Sequence, residues 1–462
     1  MQIGWNILWF IIGVSLLVTV HEYGHFWVAR KLGFKVLRFS VGFGKPLYKR
    51  IGPAPDHTEF VIAALPLGGY VRMLDERDGE VSPEDRPRAF TSKPPWQRIL
   101  VMLAGPAANI LFAIVVLWIM FWSVGLKFHK PLVGDVLLGS PAAAAGLRSG
   151  DEFLSIGGEP TRDHGDVVLA LLDMVSDEGS AVIDVRGRDG QVRHLTLDIP
   201  DEAQRRKLTE PPALFRGLGF YFWSPPTPAR LGEVMEGGPA ALAGLKPGDL
   251  IVAANGTQIR SYRELAEYIN ARPDETVSLN VRRANSDLTI RVKIARDQDG
   301  DRTIGRIRIK EDASVVPKFP KEMTTQIALG PIASLGMSIE RAWVLTATQA
   351  KFFVRMLTGD VSIKNLSGAV SIAEYAGQTA RAGPESFIQL LVLLSLSLGF
   401  LNLLPIPILD GGQIVFQIAE WAKGRPLSDR TYMVGQQAGL LLLVLLMGVA
   451  LFNDISGIAA RP

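Results

Sequence analysis

The chain has 462 residues, 48% of them hydrophobic, and a net charge of only +3. That length points to several domains. Lys and Arg are scattered among Asp and Glu, so no basic face offers itself to nucleic acid. The absence of Cys excludes disulfides, thiolate metal ligands and a cysteine nucleophile.

The apolar residues crowd toward the two ends and leave a polar middle, the pattern of a membrane protein with a soluble insert. A spanning helix needs about 20 mostly apolar residues. The first such run covers about residues 5–29; it lacks the basic start and small-residue cleavage site of a secretory signal. At its inner end stands His21-Glu22-Tyr23-Gly24-His25. Residues i and i+4 share a helix face, so His21 and His25 can hold one metal ion. Glu22 beside them can take a proton from an attacking water. Two His and a Glu are costly to bury in an apolar span and are functional there by default. The bland alternative is a pair of satisfied core histidines.

Residues 36–43, 60–66 and 67–73 read as extended, with Gly68 and Gly69 marking a turn. They suggest a small amphipathic sheet dipping into the membrane, or else an ordinary hairpin domain outside it. An exposed edge strand there can pair with an extended peptide. The second span covers about 99–124 and carries Ala104-Gly105-Pro106-Ala-Ala-Asn109, whose small residues permit close helix packing.

The insert contains a repeat. Pro141-Ala-Ala-Ala-Ala-Gly146-Leu147-Arg-Ser-Gly150-Asp151 recurs as Pro239-Ala-Ala-Leu-Ala-Gly244-Leu245-Lys-Pro-Gly248-Asp249. Each copy precedes a short apolar strand, a helical stretch near 166–174 or 262–269, and alternating strands. The pattern resembles bacterial PDZ domains, which take an extended peptide as an added strand. Gly217-Leu218-Gly219-Phe220 and Ile304-Gly-Arg-Ile307 look like the peptide-facing strands of the two modules. The alternative is a pair of small β-rich modules without a ligand. Residues 324–358 read as a helix, lying on the membrane surface or serving as a linker.

The third span covers about 387–404 and runs into Asn402-Leu-Leu-Pro405-Ile-Pro407-Ile-Leu-Asp410-Gly-Gly. Pro405 and Pro407 break helical hydrogen bonding. Broken backbone at this depth is tolerated only when buried in protein or lining a wet cavity. A catalytic zinc site uses three protein ligands plus water, and Asp410 is the candidate third. The fourth span covers about 433–452. Lys and Arg are dense between spans one and two and recur between spans three and four. Positive loops stay in the cytoplasm, so the insert and both termini are expected on the outer, periplasmic side of a bacterial inner membrane.

The HExGH motif on a first span, with N-x-x-P-x-P-x-L-D-G on a later one, resembles the site-2 protease family of intramembrane zinc metalloproteases. The resemblance covers essentially the whole chain. It implies that His21, His25 and Asp410 bind Zn2+ and that Glu22 is the general base. It implies that Asn402, Pro405 and Pro407 hold an unwound substrate, with the Gly68–Gly69 edge beside them. The 104–109 stretch matches a family motif too. So does Asn365-Leu-Ser-Gly368, although Ala369 stands where related chains often carry Pro. The implied substrate is a membrane-spanning protein already trimmed outside, of the anti-sigma factor class, with remnant signal peptides as a second group. The rival readings are an inert PDZ scaffold in the membrane and a metal transporter. The first requires loss of Glu22 or a ligand, and the second requires polar residues along several spans.

The expected fold is thus a polytopic α-helical membrane protein with four transmembrane helices, a membrane-associated β-sheet and two periplasmic PDZ domains of α+β type. The expected layout is span one (1–33), a cytoplasmic loop with the sheet (34–96) and span two (97–126). The modules follow at 127–222 and 223–311, then an amphipathic helical region (312–383). Span three (384–410), a cytoplasmic loop (411–430), span four (431–453) and a tail (454–462) complete it.

Overall fold

The structure, a computed structural model, describes residues 2–459 apart from 178, 211–212, 285, 300–301, 313–314 and 316–318. Helix α1 (Gln2–Lys31) is uncharged until Glu22. It ends at Gly33, whose φ of +75° lets the Phe34 N–H reach back to the Ala29 carbonyl. Strands β1 (Val36–Ile51) and β2 (Glu59–Met73) follow as a bent hairpin. Val41 stands beside Gly69 on one side and Ile62 on the other. The extended segments expected there are two long strands, because residues 59–73 run on unbroken and 46–51 pair back onto them. Helix α2 (Pro95–Ser123) opens with Pro at its first position, where the missing N–H has no helical partner to lose.

Strand β3 (Leu126–His129) leads into two units of the same design. In the first, strands Glu159–Pro160, Glu152–Ile156, Ser180–Arg186 and Val192–Asp198 lie side by side in that order, with helix His164–Ser176 against them. In the second, Thr257–Gln258, Leu250–Ala254, Thr276–Arg283 and Ser286–Lys293 repeat the order, with helix Tyr262–Asn270. Gly146 and Gly244 share φ values of +87° and +86°, so the repeated glycines serve the same turn. Asp151 accepts from the Arg148 N–H at 2.8 Å and Asp249 from the Lys246 N–H at 2.8 Å. Each also pairs with an arginine of its own sheet, Arg193 or Arg283. Burial works against the Asp249 charge, but Arg283 and the Lys246 N–H hold its carboxyl below the usual range.

Two strand assignments need correction. Gly217 and Leu218 lie in a helix, Ala213–Leu218, because Leu214 and Leu218 repeat at helical spacing and bury in the first core. Gly219, at φ +77°, ends that helix, and the strand is Phe220–Phe222, paired with Val133–Val136. In the second unit, residues 304–306 belong to strand Arg302–Arg306, which pairs with Ala295–Asp299. The counterpart of Phe220–Phe222 is Ile309–Glu311, paired with Leu231–Val234.

Strand β4 (Thr324–Ile327) returns alongside β3, so the helix expected from residue 324 begins only at Pro331. That helix, α3 (Pro331–Thr358), packs on α2 through Ala342 and Leu345. Its Arg341 and Arg355 bond Asp166 and Asp173 of helix His164–Ser176 at 3.2 and 2.8 Å. Helices α4 (Ala369–Ala382), α5 (Pro384–Asn402), α6 (Asp410–Lys423) and α7 (Asp429–Ala459) complete the chain. Among the described residues, four helices, α1, α2, α5 and α7, are long and apolar enough to cross a membrane.

The expected loop at 411–430 is largely α6, an amphipathic helix closed by Gly424 at φ +68°. Its Glu420 meets Arg98 of α2 at 2.8 Å, with both side chains buried, and also accepts from the Leu427 N–H. An ion pair with its other oxygen occupied is the form in which buried charge is tolerated. Helix α7 continues past 453 because buried Asp454 accepts from the N–H groups of Gly368, Val370 and Ser371, capping α4. Residues 460–462 of the expected tail lie outside the described residues.

Candidate metal centre and active site

His21 and His25 sit one turn apart on α1, both buried. Their Nε2 atoms lie 3.2 Å from each other. Asp410 Oδ2 lies 3.1 Å from the first and 3.4 Å from the second. It arrives from a different helix: α5 stops at Asn402, the chain turns over 403–409, and Asp410 opens α6. Asp410 is therefore the first residue of the next helix and not part of the third span. The two glycines after it are needed for this turn. A Cβ on Gly411 would sit 2.3 Å from the Leu403 carbonyl oxygen, and one on Gly412 would sit 2.2 Å from that of Ile406.

The spacing of the three atoms suits zinc. Ligands about 2.05 Å from a tetrahedral ion stand about 3.3 Å apart, and the observed edges run from 3.1 to 3.4 Å. Asp410 Oδ2 is buried and makes no well-formed hydrogen bond. Three lone pairs aimed at one point call for a cation between them. Among the described residues, this is the one group of three His, Asp or Glu side chains spaced to hold a metal ion.

Helix α2 supplies the backing. His25 Nδ1 lies 2.7 Å from the Val101 carbonyl, which fixes the proton on Nδ1 and leaves Nε2 free to bind metal. His21 Nδ1 lies 3.3 Å from the side-chain amide of fully buried Asn109. The amide nitrogen faces Nδ1, and among the described residues the buried Oδ1 has no hydrogen-bond partner. With Nε2 committed to metal and the proton on Nδ1, the same amide turned over would accept it through that oxygen. The Asn109 carbonyl in turn accepts from Ser395 on α5 at 2.9 Å. The close approach of α2 depends on absent side chains. A Cβ on Gly24 would sit 2.3 Å from the Ala104 carbonyl oxygen, and one on Gly105 would sit 2.3 Å from His25 Nε2.

The remaining expected site residues divide. Glu22 faces β2: a Cβ on Gly69 would lie 3.2 Å from its Cγ. Gly68, at φ +116°, is pressed on the Phe43 ring, where a Cβ would stand 2.3 Å from the nearest ring carbon. Pro407 packs on α7, with its ring 3.2 Å from where a Cβ on Gly439 would stand. Pro405 is exposed and Asn402 half-buried at the end of α5. Residues Gly217, Leu218, Gly219 and Phe220 lie in the first repeated unit, away from the three ligands. Sequence reasoning quoted Asn109 without finding its part at His21, and the Val101 carbonyl carries no side-chain signal at all.

Asn109 yields a measurable expectation. Asn109→Ala should weaken zinc binding about 10- to 100-fold, the usual cost of losing a residue that orients a metal-ligating histidine. Chelator competition on the purified protein measures it, and unchanged zinc affinity would remove Asn109 from the site.

Residues 9–446 match the family model described as peptidase family M50. The chain is 38% identical over 460 residues to the protease RseP of Yersinia pestis, covering 99% of both chains. It is 37% identical over 452 residues to the regulator of sigma-E protease RseP of Escherichia coli, covering 98% of both. A Neisseria meningitidis protein named as a zinc metalloprotease is 37% identical over 456 residues, covering 98% of this chain and 99% of that one. Among solved structures, the PDZ domain of an SdrC-like protein from Listeria monocytogenes matches 17% of this chain and 82% of that one at 25% identity. Its TM-score of 0.16 bears no weight. The chain belongs to peptidase family M50 and is an intramembrane zinc metalloprotease.

Proposed function

We propose that this protease cuts the transmembrane segment of single-span proteins already trimmed on the outer side, with anti-sigma factors as the substrate class. The observation that carries this reading is the convergence of His21, His25 and Asp410 between helices apolar enough to span a membrane. A site at that depth meets peptide bonds that other proteases do not reach. In this reading His21, His25 and Asp410 hold zinc. The ion, when bound, polarises the scissile carbonyl and makes the attacking water acidic. Glu22 takes the water proton on its carboxylate and passes it to the leaving amine, so that OH joins the carbonyl carbon and H the nitrogen. The edge of β2 from Gly69 to Met73 accepts the unwound substrate as an added strand, offsetting the helical hydrogen bonds lost. Asn402 and Pro405 border that path.

The two repeated units are read as PDZ modules on the periplasmic side. They act mainly as a size filter over the site. A cavity of about 640 Å³ supports this: it lies between Phe121 of α2, Val392 of α5 and Val344 of α3, with Asp166 of the first unit also in its lining. A short stub fits such a space, and a folded domain does not. The test removes residues 127–311, replaced by a short linker, and compares a trimmed with an untrimmed single-span substrate in the purified system. The filter requires that the deleted protein cuts both, whereas the full chain cuts only the trimmed one. If untrimmed substrate stays protected and trimmed substrate is cut poorly, the modules are receptors instead. Zinc content of the deleted protein confirms that its site is intact.

A further inference from the structure

We propose that the outer end of α7 carries a binding site for an anionic phospholipid. A cavity of about 690 Å³ lies where α7 meets the first repeated unit. Its floor is one stripe of α7: Leu445, Gly448, Val449 and Phe452, at the i, i+3, i+4 and i+7 spacing of a single helix face. The stripe is about 10 Å long. Its rim is polar, with Arg206 from helix Glu202–Leu208 and Lys364 from the turn Ile363–Asn365.

Gly448 is the telling residue. Other glycines of α7 make room for protein: a Cβ on Gly435 would strike the Phe416 ring at 2.6 Å, and one on Gly439 would stand 3.0 Å from the Ile408 nitrogen. A Cβ on Gly448 would meet nothing within 4 Å. A glycine inside a helix weakens it relative to Ala, and among the described residues no protein group close to Gly448 accounts for it. What it leaves is a notch opening into the cavity.

The occupant follows from the surroundings. Leu445 and Phe452 are 58% and 70% exposed on a helix apolar enough to span the bilayer, so this face looks onto lipid. A molecule entering from there brings acyl chains for the stripe. Its headgroup meets two cations and one carboxylate, Glu210, which already engages Lys364 at 2.9 Å. That balance favours a single phosphodiester negative charge over a zwitterion. The bound lipid would join helix Glu202–Leu208 to α7 beside an existing tie, the Asn453 amide donating to the Ile363 carbonyl at 2.8 Å.

The test uses the full chain, purified in detergent, with native mass spectrometry to count retained lipid. Phosphatidylglycerol and phosphatidylcholine with the same acyl chains are added in turn, and glycerophosphate serves as a headgroup without chains. The native chain should retain phosphatidylglycerol over phosphatidylcholine. Arg206→Gln should reduce that retention about fivefold, the value of one cation at a lipid headgroup. Gly448→Phe should abolish it by filling the notch, with zinc content unchanged as the check on folding. Equal retention of the two lipids would overturn the site, as would phosphatidylglycerol binding by Gly448→Phe at the native level. Displacement of the lipid by glycerophosphate at equal concentration would overturn it too, because the apolar stripe would then contribute nothing.

Discussion

Glu22→Gln abolishes cleavage while zinc stays bound. The expected loss is at least about 10³-fold, within the range of a general base that acts in the transition state. The expectation rests on where Glu22 stands. It occupies the same turn of α1 as His21 and His25 but does not belong to the convergent set, whose third member is Asp410. Its side chain turns to β2 at Gly69. Replacing the carboxylate by an amide of the same shape therefore leaves all three ligand atoms in place. Metal stoichiometry of the purified protein, measured beside cleavage of a single-span substrate, separates the two properties. Near-native proteolysis would refute the assignment of Glu22 as the base. Loss of zinc would make Glu22 part of the metal's support. An inert scaffold, by contrast, shows no cleavage in the native chain to lose.

The parts of this protein legible in the sequence were those whose physics is local. His21 and His25 share a face because helical geometry puts i and i+4 together, whatever else the chain does. The two units announced themselves because their turns need Gly at matching positions, and the repeat makes that need visible twice. Asp410 could be picked out because a carboxylate after a long apolar run requires an explanation. What was not legible depends on partners far away in the chain. Strand β4 looked helical because its partner, β3, lies nearly 200 residues earlier. Helix α6 looked like a loop because its place is set by the Arg98–Glu420 pair, which joins α2 to a segment 322 residues later. Gly217 and Leu218 looked like a strand because the pattern Gly-Leu-Gly-Phe suggested one, whereas Leu214 and Leu218 were answering to the core. The Val101 carbonyl is a backbone group and leaves no trace in residue identity.

Gly105→Ala removes zinc and activity, although position 105 neither binds metal nor touches the substrate in any step proposed above. The added methyl would stand 2.3 Å from His25 Nε2, 2.6 Å from its Cε1 and 2.8 Å from His21 Cε1. Such distances force movement, and the ring has little freedom to move. Its Nδ1 is tied at 2.7 Å to the Val101 carbonyl, one turn earlier on the same helix that carries the new methyl. Swinging the ring away breaks that bond, while sliding α2 away opens the crossing at Gly24, where the Ala104 carbonyl is already in close contact. Either way Nε2 leaves the position it shares with His21 and Asp410, and zinc affinity should fall by more than about 100-fold, beyond the usual cost of disturbing a ligand's support. The substitution has the advantage that local helix preference runs the other way: Ala is favoured over Gly in a helix interior. That gain of about 1 kcal/mol offsets part of the cost of the clash. The metal-free protein should therefore lose only a little thermal stability while zinc binding is lost, which separates a blocked site from a damaged fold. Gly336→Ala, on α3 where a Cβ meets nothing within 4 Å, provides the matched control and should keep both zinc and cleavage. If Gly105→Ala retains native zinc stoichiometry and cuts normally, α2 does not approach the ligands as closely as these distances require.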